Sequence, residues 1–215
     1  MKKGIIFDLD GTILDSTAFW NHLGETYLKE KGIIDKEIDE ECINMSIEEA
    51  SEYIKKKYNI PEQANLIRME INCLIEEAYF KKLSLKTGVL DFLEYMHAHD
   101  YKMIIATDTP KPLVIGMLKR YGIVDYFIDV ITTIKVKKSK EYPDIYDYCL
   151  LRMGLSKRDV VVFEDNQNVI KMLKDNAYDT IRVIDDTKDI DKGYALYTID
   201  NFLDTKVYDI LLKLI

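Results

Sequence analysis

The sequence has few of the features that would place a chain outside the cell or in a membrane. It holds only three cysteines, Cys42, Cys73 and Cys149, an odd number at wide spacing with no CxxC pair. That usage argues against a disulfide framework and predicts buried or semi-buried thiols in a reducing compartment. Long apolar runs are also missing. The first residues, MKKGIIFDLDGT, offer three apolar residues before an aspartate, against the roughly 7–15 of a secretory leader. No stretch approaches the ~18 apolar residues of a membrane span, and the expectation is a soluble cytoplasmic protein. An excess of basic residues is lacking too. The 30 Lys and Arg against 38 Asp and Glu leave a net charge of −8, which argues against nucleic acid or an anionic membrane as a partner. A small anionic ligand stays open, because local charge decides that. There is no internal repeat and no low-complexity linker.

What is present is an ordinary globular composition, 47% hydrophobic and 32% charged over 215 residues, too apolar for disorder. At ~150 residues per domain this is one large domain, or a core with an insertion. Short runs that are almost continuously apolar recur at Gly4–Leu9, Lys102–Ala106, Phe127–Thr132, Val160–Phe163 and Thr180–Ile184. Strands buried on both faces have this character, and they predict a parallel sheet wrapped by helices. Helical periodicity lies between them, at 89–97, 113–121 and 145–153, with Gly122 and Gly154 as helix stops. Residues 16–83 break the alternation. They read as helices at Phe19–Lys31, Ser46–Tyr58 and Ala64–Leu83, the second opening on a Ser46/Glu49 capping box and the third after Pro61.

The chemistry concentrates at strand ends. Asp8-Leu9-Asp10-Gly11-Thr12 puts two carboxylates where the first strand runs out, with Asp8 read as still in the strand and Gly11 allowing a sharp turn. Ligands of open α/β sheets bind beyond the carboxyl ends of the strands. An Asp-Gly turn explains Asp10 without any function, but a strand carboxylate at Asp8 is poorly favoured unless it is used. Glu164-Asp165 follows VVVF at a second strand end, where a helix cap is an equal explanation when the pair is taken alone. Four carboxylates along one sheet edge repel one another unless a cation sits among them, and an oxygen-only set suits Mg²⁺. Thr107-Asp108-Thr109-Pro110 ends a third strand with hydroxyls that could donate to a phosphate or simply cap a helix. Lys135, Lys137, Lys138 and Lys140 precede Pro143-Asp144, and one of them could reach the acidic edge.

In this order the set Asp8-Leu9-Asp10-Gly11-Thr12, Thr107, Lys140 before Pro143-Asp144, and Glu164-Asp165 resembles the haloacid dehalogenase superfamily of phosphohydrolases. The nearest likeness is to its branch of small-sugar phosphatases and β-phosphoglucomutase. The resemblance implies an α/β fold, a Rossmann-like doubly wound parallel sheet formed by residues 1–15 and 84–215, with an α-helical cap domain inserted at 16–83. It implies Asp8 as nucleophile forming an aspartyl phosphate, Asp10 as general acid and base, and Mg²⁺ held by Asp8, Asp10 (through its carbonyl), Asp165 and Glu164, the last directly or through water. Thr107 and Lys140 would contact the transferring phosphoryl group, with Asp108 as a further substrate contact and Trp20 as a cap contact. The partner expected is a small phosphorylated metabolite; no protein partner is evident.

Departures from the family pattern bear on the reaction. Trp20 stands where the mutases of the branch carry a histidine, and Ile47 where they carry a phosphate-gripping arginine, which favours hydrolysis over phosphate migration. Glu141 replaces the usual proline after the lysine, so Lys138 is the alternative to Lys140. Asp108, Asn166, Val169 and Ala177 also differ from the common residues. A sugar-phosphate mutase is the second reading, and a non-catalytic phosphometabolite-binding protein the third. His97 and His99, two apart at a helix end, point in different directions and make a poor metal pair. Cys73, on an apolar helical face, is expected to be inert.

Overall fold

The computed structural model describes residues 3–185 and 191–213. The chain divides into two compact units, Met1–Asp15 with Leu83–Ile215, and Ser16–Lys82. The first unit opens with β1 (Gly4–Phe7) and a short β2 (Leu14–Asp15). The second unit is helical: α1 (Thr17–Trp20), α2 (Leu23–Glu30), α3 (Ile38–Cys42), α4 (Ile47–Tyr58) and α5 (Ala64–Glu77), which runs on into a π-helical turn at Ala78–Lys82. The first unit then resumes with β3 (Ser84–Leu85), α6 (Val89–Ala98), β4 (Lys102–Thr107), α7 (Lys111–Tyr121), β5 (Phe127–Thr132), α8 (Thr133–Val136) and α9 (Asp144–Met153). It finishes with β6 (Val160–Glu164), α10 (Gln167–Asp175), β7 (Asp179–Val183), β8 (Tyr197–Ile199) and α11 (Lys206–Lys213).

Six strands form one sheet in the order β5-β4-β1-β6-β7-β8, each neighbour pair parallel. This is the parallel sheet expected from the apolar strand runs, in the Rossmann-like α/β arrangement that the resemblance implies. The chain steps outward from β1 through β4 to β5, then crosses back to β6 on the other side of β1. The carboxyl end of β1 is therefore the switch point where such sheets open a crevice. Phe7 pairs with Ile105 on one side and Phe163 on the other, so Asp8 comes out level with the ends of both neighbours.

Both sheet faces are sealed. On one, Ile6, Ile104, Val162 and Ile131 pack with Ile145, Cys149 and Met153 of α9. On the other, Phe7 stacks on Phe163 at 5.0 Å, and Phe92 of α6 and Phe202 close over them at 5.5 Å each. Burial on both faces explains why the strands read as unbroken apolar runs, and it makes the sheet a rigid support for whatever lies at its edge.

Several sequence expectations need correction. Strand β1 ends at Phe7, one residue before Asp8, because the chain turns as soon as the Asp8 N–H has bonded to the Phe163 carbonyl at 2.9 Å. The helix expected over Phe19–Lys31 is broken at Asn21-His22 into α1 and α2. The one expected over Ala64–Leu83 changes to π-helical pitch after Glu77. Cys73 is exposed, since α5 buries the Ile67, Ile71 and Ile75 stripe and residue 73 faces away from it. The short β2–β3 ribbon, Leu14 with Leu85 and Asp15 with Ser84, and strand β8 carry too few residues to show a period. The Ser46/Glu49 capping box stands at the start of α4. Among the described residues no helix is long and apolar enough to cross a membrane.

Candidate active site

The loop after β1 owes its shape to Gly11. Its φ of +81° lies in the left-handed region, and a Cβ there would come within 2.7 Å of Asp165 Oδ2, so only glycine fits without displacing that carboxylate. The Ile13 and Leu14 N–H groups bond back to the Leu9 carbonyl at 3.0 and 2.9 Å, closing the turn. Asp8 is left buried and Asp10 half-buried at the sheet edge.

Lys140, between α8 and α9, reaches this edge. Its Nζ lies 2.5 Å from Asp8 Oδ1 and 3.0 Å from Glu164 Oε2, and all three side chains are under 8% exposed. The other candidate lysines stay outside: Lys135 and Lys137 are exposed, and Lys138 pairs with Asp144 at 2.7 Å on the surface. Glu141 in the usual proline position therefore leaves Lys140 in place. Asp165 joins the group, since carboxylate oxygens of Asp8, Glu164 and Asp165 all lie within 4.8 Å of one another. Thr12 Oγ1 donates to Asp165 Oδ1 at 3.3 Å.

Three carboxylates against one ammonium is an unbalanced set. Burial pushes the Asp8 carboxyl up to about 7, with the Lys140 charge pulling the other way and Asp165 adding to the rise. Burial and the neighbouring Asp8 push Glu164 well above the usual carboxylate range, and burial does the same, less strongly, for Asp165. Burial works against the Lys140 ammonium, but Asp8 and Glu164 outweigh it and keep the group charged. A divalent cation bound by oxygens would supply the two missing positive charges. The cluster therefore fits Mg²⁺ in charge and in donor chemistry, a few carboxylates with room left for water.

Thr107, at the end of β4, is buried, and its Oγ1 accepts the Thr109 N–H at 3.0 Å, which leaves the hydroxyl proton free to donate. Thr109 Oγ1 in turn donates to Asp10 Oδ2 at 2.5 Å. Asp108 is exposed. Trp20 belongs to the helical unit, where its indole N–H donates to Tyr79 Oη at 3.2 Å. His97 stacks on Tyr126 and His99 on Tyr95, at 4.6 and 3.9 Å, so they face different neighbours.

Two features escaped the sequence reading. One is the Thr109–Asp10 contact, across 99 residues; the hydroxyl lay in a noted strand end, but nothing local names its partner. The other is an ion pair between Lys86 and Asp185 at 2.7 Å, close to Asp165. Neither residue stands in a motif, so no sequence signal points to it.

A family model for haloacid dehalogenase-like hydrolases matches residues 5–183. The chain is 22% identical over 194 residues to the phosphorylated carbohydrates phosphatase of Thermotoga maritima, covering 86% of this chain and 88% of that one. It is 26% identical over 192 residues to the β-phosphoglucomutase of Bacillus subtilis, covering 80% and 79%. Its fold matches the magnesium-bound structure of YfnB from Bacillus subtilis with a TM-score of 0.77 at 18% identity, over 98% of this chain and 99% of that one.

Proposed function

The chain belongs to the haloacid dehalogenase-like hydrolases, and from that premise we propose that it is a Mg²⁺-dependent phosphatase of small phosphate monoesters, sugar phosphates among them, working through an aspartyl phosphate on Asp8. The protein is an enzyme of the phosphatase kind, as its curated relatives are. The observation that carries the finer reading is the buried Lys140 ammonium bridging Asp8 and Glu164, with Asp165 completing a three-carboxylate cluster.

In this reading Asp8 Oδ attacks phosphorus and the bond to the ester oxygen breaks. Asp10, held by the Thr109 hydroxyl, gives its proton to the departing alkoxide. Asp10 then takes a proton from the water that attacks the phosphoryl group, releasing phosphate and restoring the Asp8 carboxylate. Thr107 donates its hydroxyl proton to a phosphoryl oxygen. Lys140 offsets the charge of the nucleophile, so that an anion can approach a dianion. Asp8, Asp165, the Asp10 carbonyl and Glu164, directly or through water, would hold Mg²⁺, whose chemistry is to polarise the phosphoryl oxygens and balance their charge.

The likeness to a β-phosphoglucomutase keeps phosphate migration as a second reading. Against it, Ile47, the first residue of α4, stands where the resemblance puts the phosphate-gripping arginine of the mutases. Phosphate release from p-nitrophenyl phosphate and a panel of sugar phosphates tests the proposal, with Mg²⁺, with EDTA and with Asp8→Asn. Release that needs Mg²⁺ and is lost in the variant supports hydrolysis. Interconversion of sugar 1- and 6-phosphates without release overturns it in favour of the mutase.

A further inference from the structure

Lys86 and Asp185 are 99 residues apart in the chain and meet with only 10% of each side chain exposed. Lys86 follows the β2–β3 ribbon directly. Its backbone N–H donates to the Ile13 carbonyl at 2.8 Å, and its Nζ donates to the Ile184 carbonyl at 2.9 Å as well as pairing with Asp185 at 2.7 Å. The lysine therefore ties the loop that carries Asp10 and Gly11 to the segment leaving β7. A nearly buried ion pair is a poor way to make a tether, because desolvation of both charges consumes most of the attraction and an apolar contact serves as well. Its charges call for another use.

The position of Asp185 supplies one. The point that a Cβ on Gly11 would occupy lies 2.7 Å from Asp165 Oδ2 and 3.1 Å from Asp185 Oδ2. Both carboxylates thus crowd the same side of Gly11, which has no side chain to separate them. They also line one cavity of about 320 Å³, together with Asn166, Gln167 and Arg182. Mg²⁺ keeps several of its waters when bound by protein, and carboxylates outside the ligand set commonly orient those waters and the ligands themselves.

We propose that Asp185, held and charge-balanced by Lys86, is an outer-sphere positioning carboxylate of the cation site, setting the orientation of Asp165 from behind Gly11. This rests on the metal reading of the Asp8, Glu164 and Asp165 cluster. The effect of Asp185 is on how tightly the cation is held.

Calorimetric titration of Mg²⁺ into the full chain tests this without any turnover. The proteins are the wild type, Asp185→Asn, the Lys86→Met/Asp185→Asn double variant, and Asp165→Asn as control; thermal unfolding in EDTA reports whether each is folded. Asp185→Asn is expected to weaken Mg²⁺ binding about tenfold or more. The double variant should lose less, because it leaves no uncompensated ammonium beside the cation, and it keeps the test open if the single variant does not fold. Wild-type affinity in both pair variants, with binding lost in Asp165→Asn, overturns this inference alone. Absence of Mg²⁺ binding by the wild type overturns the metal reading and this inference with it.

Discussion

Lys140 is the residue on which the site's charge turns. It is the ammonium seen on both Asp8 and Glu164, and all three groups are buried. Replacing it with methionine leaves two desolvated carboxylates facing each other without their counter-ion. Removing one partner of a buried pair commonly costs about 3–5 kcal/mol, and removing an electrostatic stabiliser of a developing charge lowers kcat by roughly 10²–10³. Lys140→Met should therefore show both losses, read by urea unfolding in EDTA and by turnover with Mg²⁺. Lys138→Met, altering an exposed pair with Asp144, should leave both within error. The acidic pairs and Gly11 were legible in the sequence because strand end, carboxylate and turn glycine are neighbours in the chain. The residues alone left the choice among the loop lysines open, and only the resemblance singled out Lys140, with Lys138 as the alternative two residues away. Thr109 and Asp10, and Lys86 and Asp185, were invisible for a simpler reason: only the folded sheet makes them neighbours.

Among the elements, the helices are where local sequence rules succeed and fail most instructively. Ser46 accepts the Glu49 N–H while the Glu49 carboxylate accepts the Ser46 N–H, as the S-x-x-E spacing anticipates. Ser46→Ala should cost about 1 kcal/mol of stability, measured by chemical unfolding. Helix α10 ends differently. Ala177 adopts φ +59°, in the region where the methyl group crowds the following carbonyl, and this is one of the places where the family commonly has glycine. Ala177→Gly relieves a strain of about 1–2 kcal/mol against a chain-entropy loss of about 0.4–1 kcal/mol, so a small rise in melting temperature is expected. Asp35 tests the helical unit by pH. Bonds from Tyr58 Oη, from the Glu37 N–H and from Lys57 hold its carboxyl down at about 2. A lowered folded pKa means the contribution is complete above the ordinary value near 4 and is lost as pH falls toward 2. Asp35→Asn should flatten the stability profile in that window. The apolar period runs straight through the break at Asn21-His22 and the π-helical turn after Glu77, so neither could be read from it.

For the whole molecule, the consequence of an unbalanced acidic cluster is that ligand binding and folding are linked. A cation that binds the folded site and not the unfolded chain adds stability by mass action, about 2.7 kcal/mol at a hundredfold excess over its Kd. Mg²⁺ should raise the melting temperature of the wild type, EDTA should reverse the gain, and Asp165→Asn should abolish it. The parallel sheet was readable in outline from the apolar runs, because burial on both faces leaves no polar alternation to misread, but its strand order was not. Its outer strand β8 and the β2–β3 ribbon, with three and two residues each, are set by the strands they join and not by their own composition. The central claim is that Asp8 carries the phosphoryl group during turnover. Its most direct test is acid quenching of the enzyme during a single turnover with a phosphate monoester, followed by mass spectrometry of the peptide that contains residues 4–12. The account predicts a phosphoryl adduct on Asp8 that appears with Mg²⁺, decays as phosphate is released, and is absent in Asp8→Asn. Full turnover with no adduct, or turnover retained by Asp8→Asn, would contradict it.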